Sequence, residues 1–190
     1  MKTFFNTQQA RHAGRQEMFR GRMVDCHEVP ARFDFVMAEL IKRPLGELLP
    51  PGVSDIDLDA ILATVHTEPY LTFLEGAWAE WVAMDPANAH RDALPSVWPM
   101  PRLHGFRTDV LPQNFAARLG AFAFDSGCPL TEGTWGAARQ GAACAMAAAQ
   151  EVANGARSAF ALTRPPGHHA GPENFGGYCF INNAPEAAQT

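Results

Sequence analysis

Apolar side chains recur at helical spacing along much of this chain. Phe33, Val36, Met37, Leu40 and Ile41 form one such stripe, and it stops at Lys42-Arg43-Pro44, a cationic end followed by a residue that cannot continue a helix. A Pro-Gly turn at 50–52 precedes a weaker helical segment, Leu58 to Val65. Thr67 stands where an N-cap belongs, with Glu68 and Pro69 in the first turn and Leu71, Leu74, Trp78, Trp81 and Val82 along one face. Thr134 opens a long Ala- and Gly-rich helix that ends at the C-capping pair Asn154-Gly155. Its small side chains suit close packing on a sheet. Lys2 to Asn6 reads as a short aromatic strand and Ser158 to Thr163 as a buried one, while Gln8 to Arg22 reads as a polar, basic connection. Asp85 to Pro112, rich in Pro, Trp, Arg and His and without a period, reads as a long functional loop.

Helix, buried strand, loop is the order of an α/β protein with a parallel sheet, in which ligands bind beyond the carboxyl ends of the strands. The loop that follows the second strand, Arg164 to Asn183, reads R-P-P-G-H-H-A-G-P-E-N-F-G-G-Y-C-F-I-N-N. Its prolines stiffen the backbone, and its glycines allow tight reversal and close approach. His168 and His169 fall at the expected binding end. Adjacent histidines diverge on a strand or a helix and chelate poorly, but in a bent loop both rings can face one pocket as a proton-transfer couple. The plainer reading packs one ring and leaves the other in water. Beyond the loop, Asn182 or Asn183 can cap a further helix with Pro185 in its first turn.

The 190 residues, 47% hydrophobic and 18% charged, suffice for about one domain with a core. A net charge of -5 without a basic run argues against nucleic acid and anionic membrane as partners. No secretion signal and no membrane span are read, and Cys26, Cys128, Cys144 and Cys179 lie far apart without a C-x-x-C pair, which fits a reducing cytoplasm. Cys179 has a competing reading as a nucleophile paired with His169, but it sits in an apolar run.

R-P-P-G-H-H-A followed by F-G-G-Y-C-F-I-N-N-A resembles the signature of the histone deacetylase superfamily, in particular its bacterial acetylpolyamine amidohydrolase branch. Weaker likenesses extend over the chain at Val65-His66, Tyr70 to Leu74, Trp98-Pro99, Phe124 to Pro129 and Gly133-Thr134-Trp135. The resemblance implies the arginase-deacetylase fold, a three-layer α/β arrangement with a mainly parallel sheet. It also implies hydrolysis of an N-acetyl amide by zinc-bound water. Residues 1–190 would then be the amino-terminal part of one deacetylase domain, with 85–112 as a long insertion and 164–183 as the catalytic loop. The sheet would be incomplete at its C-terminal side, and the isolated chain marginally stable.

On the same resemblance, His168 stabilises charge and hydrogen-bonds the water, and His169 is the general base and then the acid. Gly177 offers its carbonyl to the substrate amide, and Tyr178 forms an aromatic wall of the acyl tunnel with Cys179 behind it. Glu17 and Asp109 are the candidate carboxylates for a cationic tail at the tunnel mouth. The implied zinc ligands, an Asp-x-His pair and a later Asp, and a transition-state Tyr are expected after Thr190, so no metal ligand is assigned here. Asp25-Cys26-His27 has Asp-x-His spacing but reads as a polar surface loop. Small acylated amines or acetyl-lysine are the implied substrates, and the insertion implies a homodimer. The competing expectation is a non-catalytic remnant that acts, if at all, by binding a partner.

Overall fold

The computed structural model describes residues 1–52, 57–99 and 110–188. Three parallel strands make its sheet, in the order β4 (Leu48–Leu49), β1 (Lys2–Phe5), β5 (Ala159–Leu162). Lys2 through Phe5 register against Ala159 through Leu162, and Thr3 and Phe4 against Leu48 and Leu49. Both expected strands are present, and parallel pairing carries the chain out at one sheet end, where the histidine loop begins.

Helix α1 (Ala31–Lys42) covers one face, packing Phe33 and Leu40 with Leu162 and against Phe5 and Leu48. The expected amphipathic stripe turns in only in part: Val36 and Ile41 stay exposed. Helix α5 (Thr134–Ala153) covers the other face and touches β1 and β5. Its small residues permit the close approach: a Cβ on Gly141 would stand 2.4 Å from Thr163 Oγ1. Outside α5 lies the main core, built from α2 (Leu58–Val65), α3 (Glu68–Met84) and α4 (Phe115–Ala121), with Leu62, Tyr70, Phe73, Phe115, Phe175 and Phe180 at its centre. Helix α6 (Asn183–Ala187) packs on α5. No helix of the described residues is long and apolar enough to cross a membrane.

Three local readings need correction. The connection read over 8–22 contains most of an antiparallel hairpin, β2 (Gln16–Phe19) with β3 (Arg22–Asp25). Its two turn residues, Arg20 and Gly21, have φ of 50° and 77°, as a two-residue hairpin turn requires, but Arg-Gly lacks the Asn or Asp that usually marks such a turn. Thr67 precedes α3 but makes no side-chain capping bond; its N–H donates to Pro172 O at 2.9 Å. The described part of 85–112 is ordered locally. Asp85 caps a short 3-10 helix, Pro86–His90, Ala93 bridges Leu130, and Trp98 donates to Ala123 O at 3.0 Å.

Buried polar residues tie these layers together. Asn6, at the end of β1, donates to Ala137 O on α5 and to Arg164 O at the start of the loop, both at 2.8 Å. His12 is buried against the edge of the Phe180 ring and shares a 2.9 Å hydrogen bond with Thr134 Oγ1, which itself accepts the Thr131 N–H. Burial, with the nearby Arg164 charge, lowers the His12 pKa to about 3. The unfolded imidazole titrates near ~6.5. This depressed value means that the contribution of His12 to stability is whole above the unfolded pKa and is lost as pH falls toward the folded one. Glu28 and Glu186, raised by burial, work in the opposite direction. Relative to His12→Gln, the native protein will therefore lose stability on acidification below ~6.5 with an extra slope approaching about 1.4 kcal/mol per pH unit. Denaturant melts at a series of pH values measure this, and parallel curves for the two proteins would count against it.

Candidate active site

Leu162 ends β5 inside the core, and two residues later Arg164 turns the chain into the loop. The guanidinium is buried and fully used. Its Nε donates to Glu28 Oε1 at 2.9 Å, Nη2 lies 2.8 Å from Glu28 Oε2 and donates to Glu28 O at 3.1 Å, and Nη1 donates to Gln9 O at 2.6 Å. Burial pushes the Glu28 carboxyl up and the Arg164 guanidinium down, each against the attraction of its partner.

The far side of the loop is held by His66, between α2 and α3. Its Nδ1 donates to Gly171 O at 3.0 Å, and its Nε2 accepts the Asn182 N–H at 3.1 Å, so one buried imidazole fastens two points of the loop eleven residues apart in sequence. Tyr70 Oη donates to Phe180 O at 2.6 Å, and Asn182 Nδ2 to Ala170 O at 2.8 Å.

Within this frame the structure brings His168 and His169 together with ring centroids 4.2 Å apart and both rings exposed. They line one pocket of about 420 Å³ with Gly177, Tyr178, His27 and Arg32. The arrangement with one packed ring is therefore not the one observed. A larger groove of about 620 Å³ along α5 is lined by Arg139, Gln140 and Glu151 among others, with no His or Cys among the described residues that line it.

Gly177 has φ of +54°, and a Cβ there would come 2.7 Å from the His169 ring. Its N–H donates to the Asp125 carboxylate, whose other oxygen accepts Gly127 N–H at 3.0 Å. Tyr178 also lies in the left-handed region, at φ 66°, uncommon for a side chain of its size. Its hydroxyl donates to Glu17 Oε1 at 2.9 Å, and burial together with that bond pushes the phenol pKa up. Cys179 is fully buried behind this turn, its thiol raised by burial and bonded to Gly177 O at 3.4 Å, which leaves no basis for a nucleophile.

Two sequence expectations change. Glu17 is no open acid at a mouth: it is 1% exposed and accepts from His27 Nδ1 at 2.6 Å and from the His27 N–H at 3.1 Å, besides Tyr178. The segment after Asp25, read as a surface loop, supplies His27 and Glu28 to the pocket. Asp109 lies outside the described residues. Asp125 and Arg164 stood inside quoted motifs but without a role; their partners, far away in sequence, give them one.

Among the described residues no three His, Cys, Asp or Glu side chains gather as a metal-binding group. The acids around the pocket are already engaged, Glu28 by Arg164, Glu17 by His27 and Tyr178, Asp125 by the Gly177 N–H. This donor set does not fit a zinc ion.

The histone deacetylase domain family matches residues 27–190. Acetylpolyamine amidohydrolase 2 of Pseudomonas aeruginosa is 42% identical over 189 residues, covering 100% of this chain and 52% of that protein. The acetylpolyamine amidohydrolase of Mycoplana ramosa is 32% identical over the same shares of both. The crystal structure of acetylpolyamine aminohydrolase from Burkholderia pseudomallei superposes with a TM-score of 0.86 at 36% identity, over 100% of this chain and 52% of that one. The chain thus spans about half the length of the curated relatives it matches. With the family match running over residues 27–190, well over half of the chain, and the fold shared with that crystal structure, the chain belongs to the histone deacetylase family.

Proposed function

We propose that this chain carries the general acid-base pair and one wall of the substrate channel of a hydrolase that cleaves the N-acetyl amide of a small acylated amine. The observation that supports it most is the pair of exposed rings, 4.2 Å apart, facing one pocket beside Tyr178. His169 takes a proton from water as the oxygen attacks the acetyl carbonyl, then returns it to the departing nitrogen, so that amide and water become acetate and amine. His168 hydrogen-bonds the attacking water and stabilises the charge that develops. The Gly177 carbonyl, which among the described residues accepts only a weak thiol contact, has a lone pair for the substrate amide N–H.

The described residues do not supply the ligands of a zinc ion. Acetylpolyamines, the substrates in the relatives' names, and acetyl-lysine both fit as acylated amines. The two acids expected to select a polyamine do not decide between them, Glu17 being buried and Asp109 outside the described residues. Four free, buried cysteines fit a reducing compartment, so the proposed location is the cytoplasm. A homodimer through the insertion at 85–112 remains part of the proposal. The competing reading, a binding protein without activity, draws its support from the described residues, among which no three His, Cys, Asp or Glu side chains gather as a metal-binding group.

In the full-length protein, His169→Ala will lower turnover of an acetylated diamine by about 10²- to 10⁴-fold with circular dichroism unchanged. A native protein that releases no acetate from any acetylated amine would sink the enzyme reading in favour of the binding one. Gly177→Ala puts a Cβ against His169 at a positive φ; it will cost about 1–2 kcal/mol in a denaturant melt and reduce turnover. Unchanged stability and rate would show that the loop relaxes around the methyl group.

A further inference from the structure

Glu17 lies on β2, and the residues that bond it come from two distant places, His27 just after β3 and Tyr178 in the histidine loop. Three donors converge on the one carboxylate, two of them on Oε1. A buried carboxylate without partners is costly, so this arrangement is coherent only when all three are in place. It also explains how Tyr178 holds its backbone at φ 66°, since the bond at the far end of the side chain offsets a conformation that bulky residues avoid. The hairpin supports the group from outside. Phe19 packs on the His27 ring with centroids 5.4 Å apart, and the Arg20 guanidinium lies 5.0 Å over Phe19.

No cationic substrate can reach Glu17 without displacing Tyr178 or His27, because the carboxylate is 1% exposed. Direct recognition of an ammonium group is therefore the wrong role for it. His27, in contrast, is 59% exposed in its side chain and lines the pocket with Tyr178 and the two catalytic histidines.

We propose that His27 and Glu17 are positioning residues that brace the Tyr178 ring as a fixed wall of the substrate channel, setting how well an acylated amine is held rather than how fast its bond breaks. The proposal rests on the hydrolase reading above, but its first test does not need activity. Tyr70 and Tyr178 are the two tyrosines of these 190 residues, and in protein labelled with ¹³C-tyrosine the substitutions Tyr70→Phe and Tyr178→Phe assign their ring signals. Glu17→Gln and His27→Leu will shift and broaden the Tyr178 signal and leave that of the buried Tyr70 in place. His27→Asn, whose amide N–H can replace the Nδ1 donor, will restore the native signal. In turnover of an acetylated diamine by the full-length protein, Glu17→Gln and His27→Leu will raise KM about tenfold, the worth of one such hydrogen bond, with kcat nearly unchanged. Adding Glu17→Gln to Tyr178→Phe will raise KM no further. A Tyr178 signal that ignores both Glu17→Gln and His27→Leu overturns the brace whatever the kinetics do. A loss confined to kcat overturns its assignment to substrate holding. A native protein without hydrolase activity defeats the function proposed above, and the labelled-tyrosine spectra then decide the brace on their own.

Discussion

The buried pair of Arg164 and Glu28 is the constraint on which the rest of the site depends. It joins the end of β5 to the segment just ahead of α1 and, through Gln9, to the turn after β1. Burial works against both charges, which is the usual balance for an ion pair out of water: the attraction roughly repays the desolvation and adds little net stability. What the pair does contribute is uniqueness of place. Removing one partner of such a pair costs about 3–5 kcal/mol, so the loop has one seat and no cheap alternative. Asn6 and His66 repeat this device at two other points, each satisfying backbone groups of the loop from a different layer.

The pocket is the product of that seating. Prolines and glycines make the loop able to bend, but they do not choose the bend. The choice comes from Asp125 holding the Gly177 N–H and Glu17 holding the Tyr178 hydroxyl, one on each side of the wall. The two histidines then meet at a short distance with both residues exposed, and among the described residues no buried side chain bonds their rings.

How much of this the sequence revealed follows from the range of the forces involved. Helices α1, α3 and α5, strand β5 and the loop were legible because periodicity and caps act over a few residues. The hairpin was not, since Arg20-Gly21 is an atypical turn and Glu17 looks like any surface acid until Tyr178, 161 positions away, covers it. Glu28 and Arg164 are 136 positions apart, and neither carries a local mark of the other. The motif pointed to His168 and His169, and to Gly177 and Tyr178; the residues that hold them are polar, isolated in sequence and recognisable only by their partners. Helix α4, seven residues long, is likewise fixed by packing Phe115 and Leu119 into the core more than by any pattern of its own.

Cys26, Cys128, Cys144 and Cys179 are all buried, and burial holds every one of their thiols above its ordinary pKa, two of them at about 12. Thiolate is the form that alkylating and oxidising agents attack, so the native sulfurs are chemically quiet while the fold is intact. A single cysteine introduced on the rim of the pocket would therefore be the one reactive thiol among the described residues, and a fluorophore attached there would watch the wall without any native residue being removed.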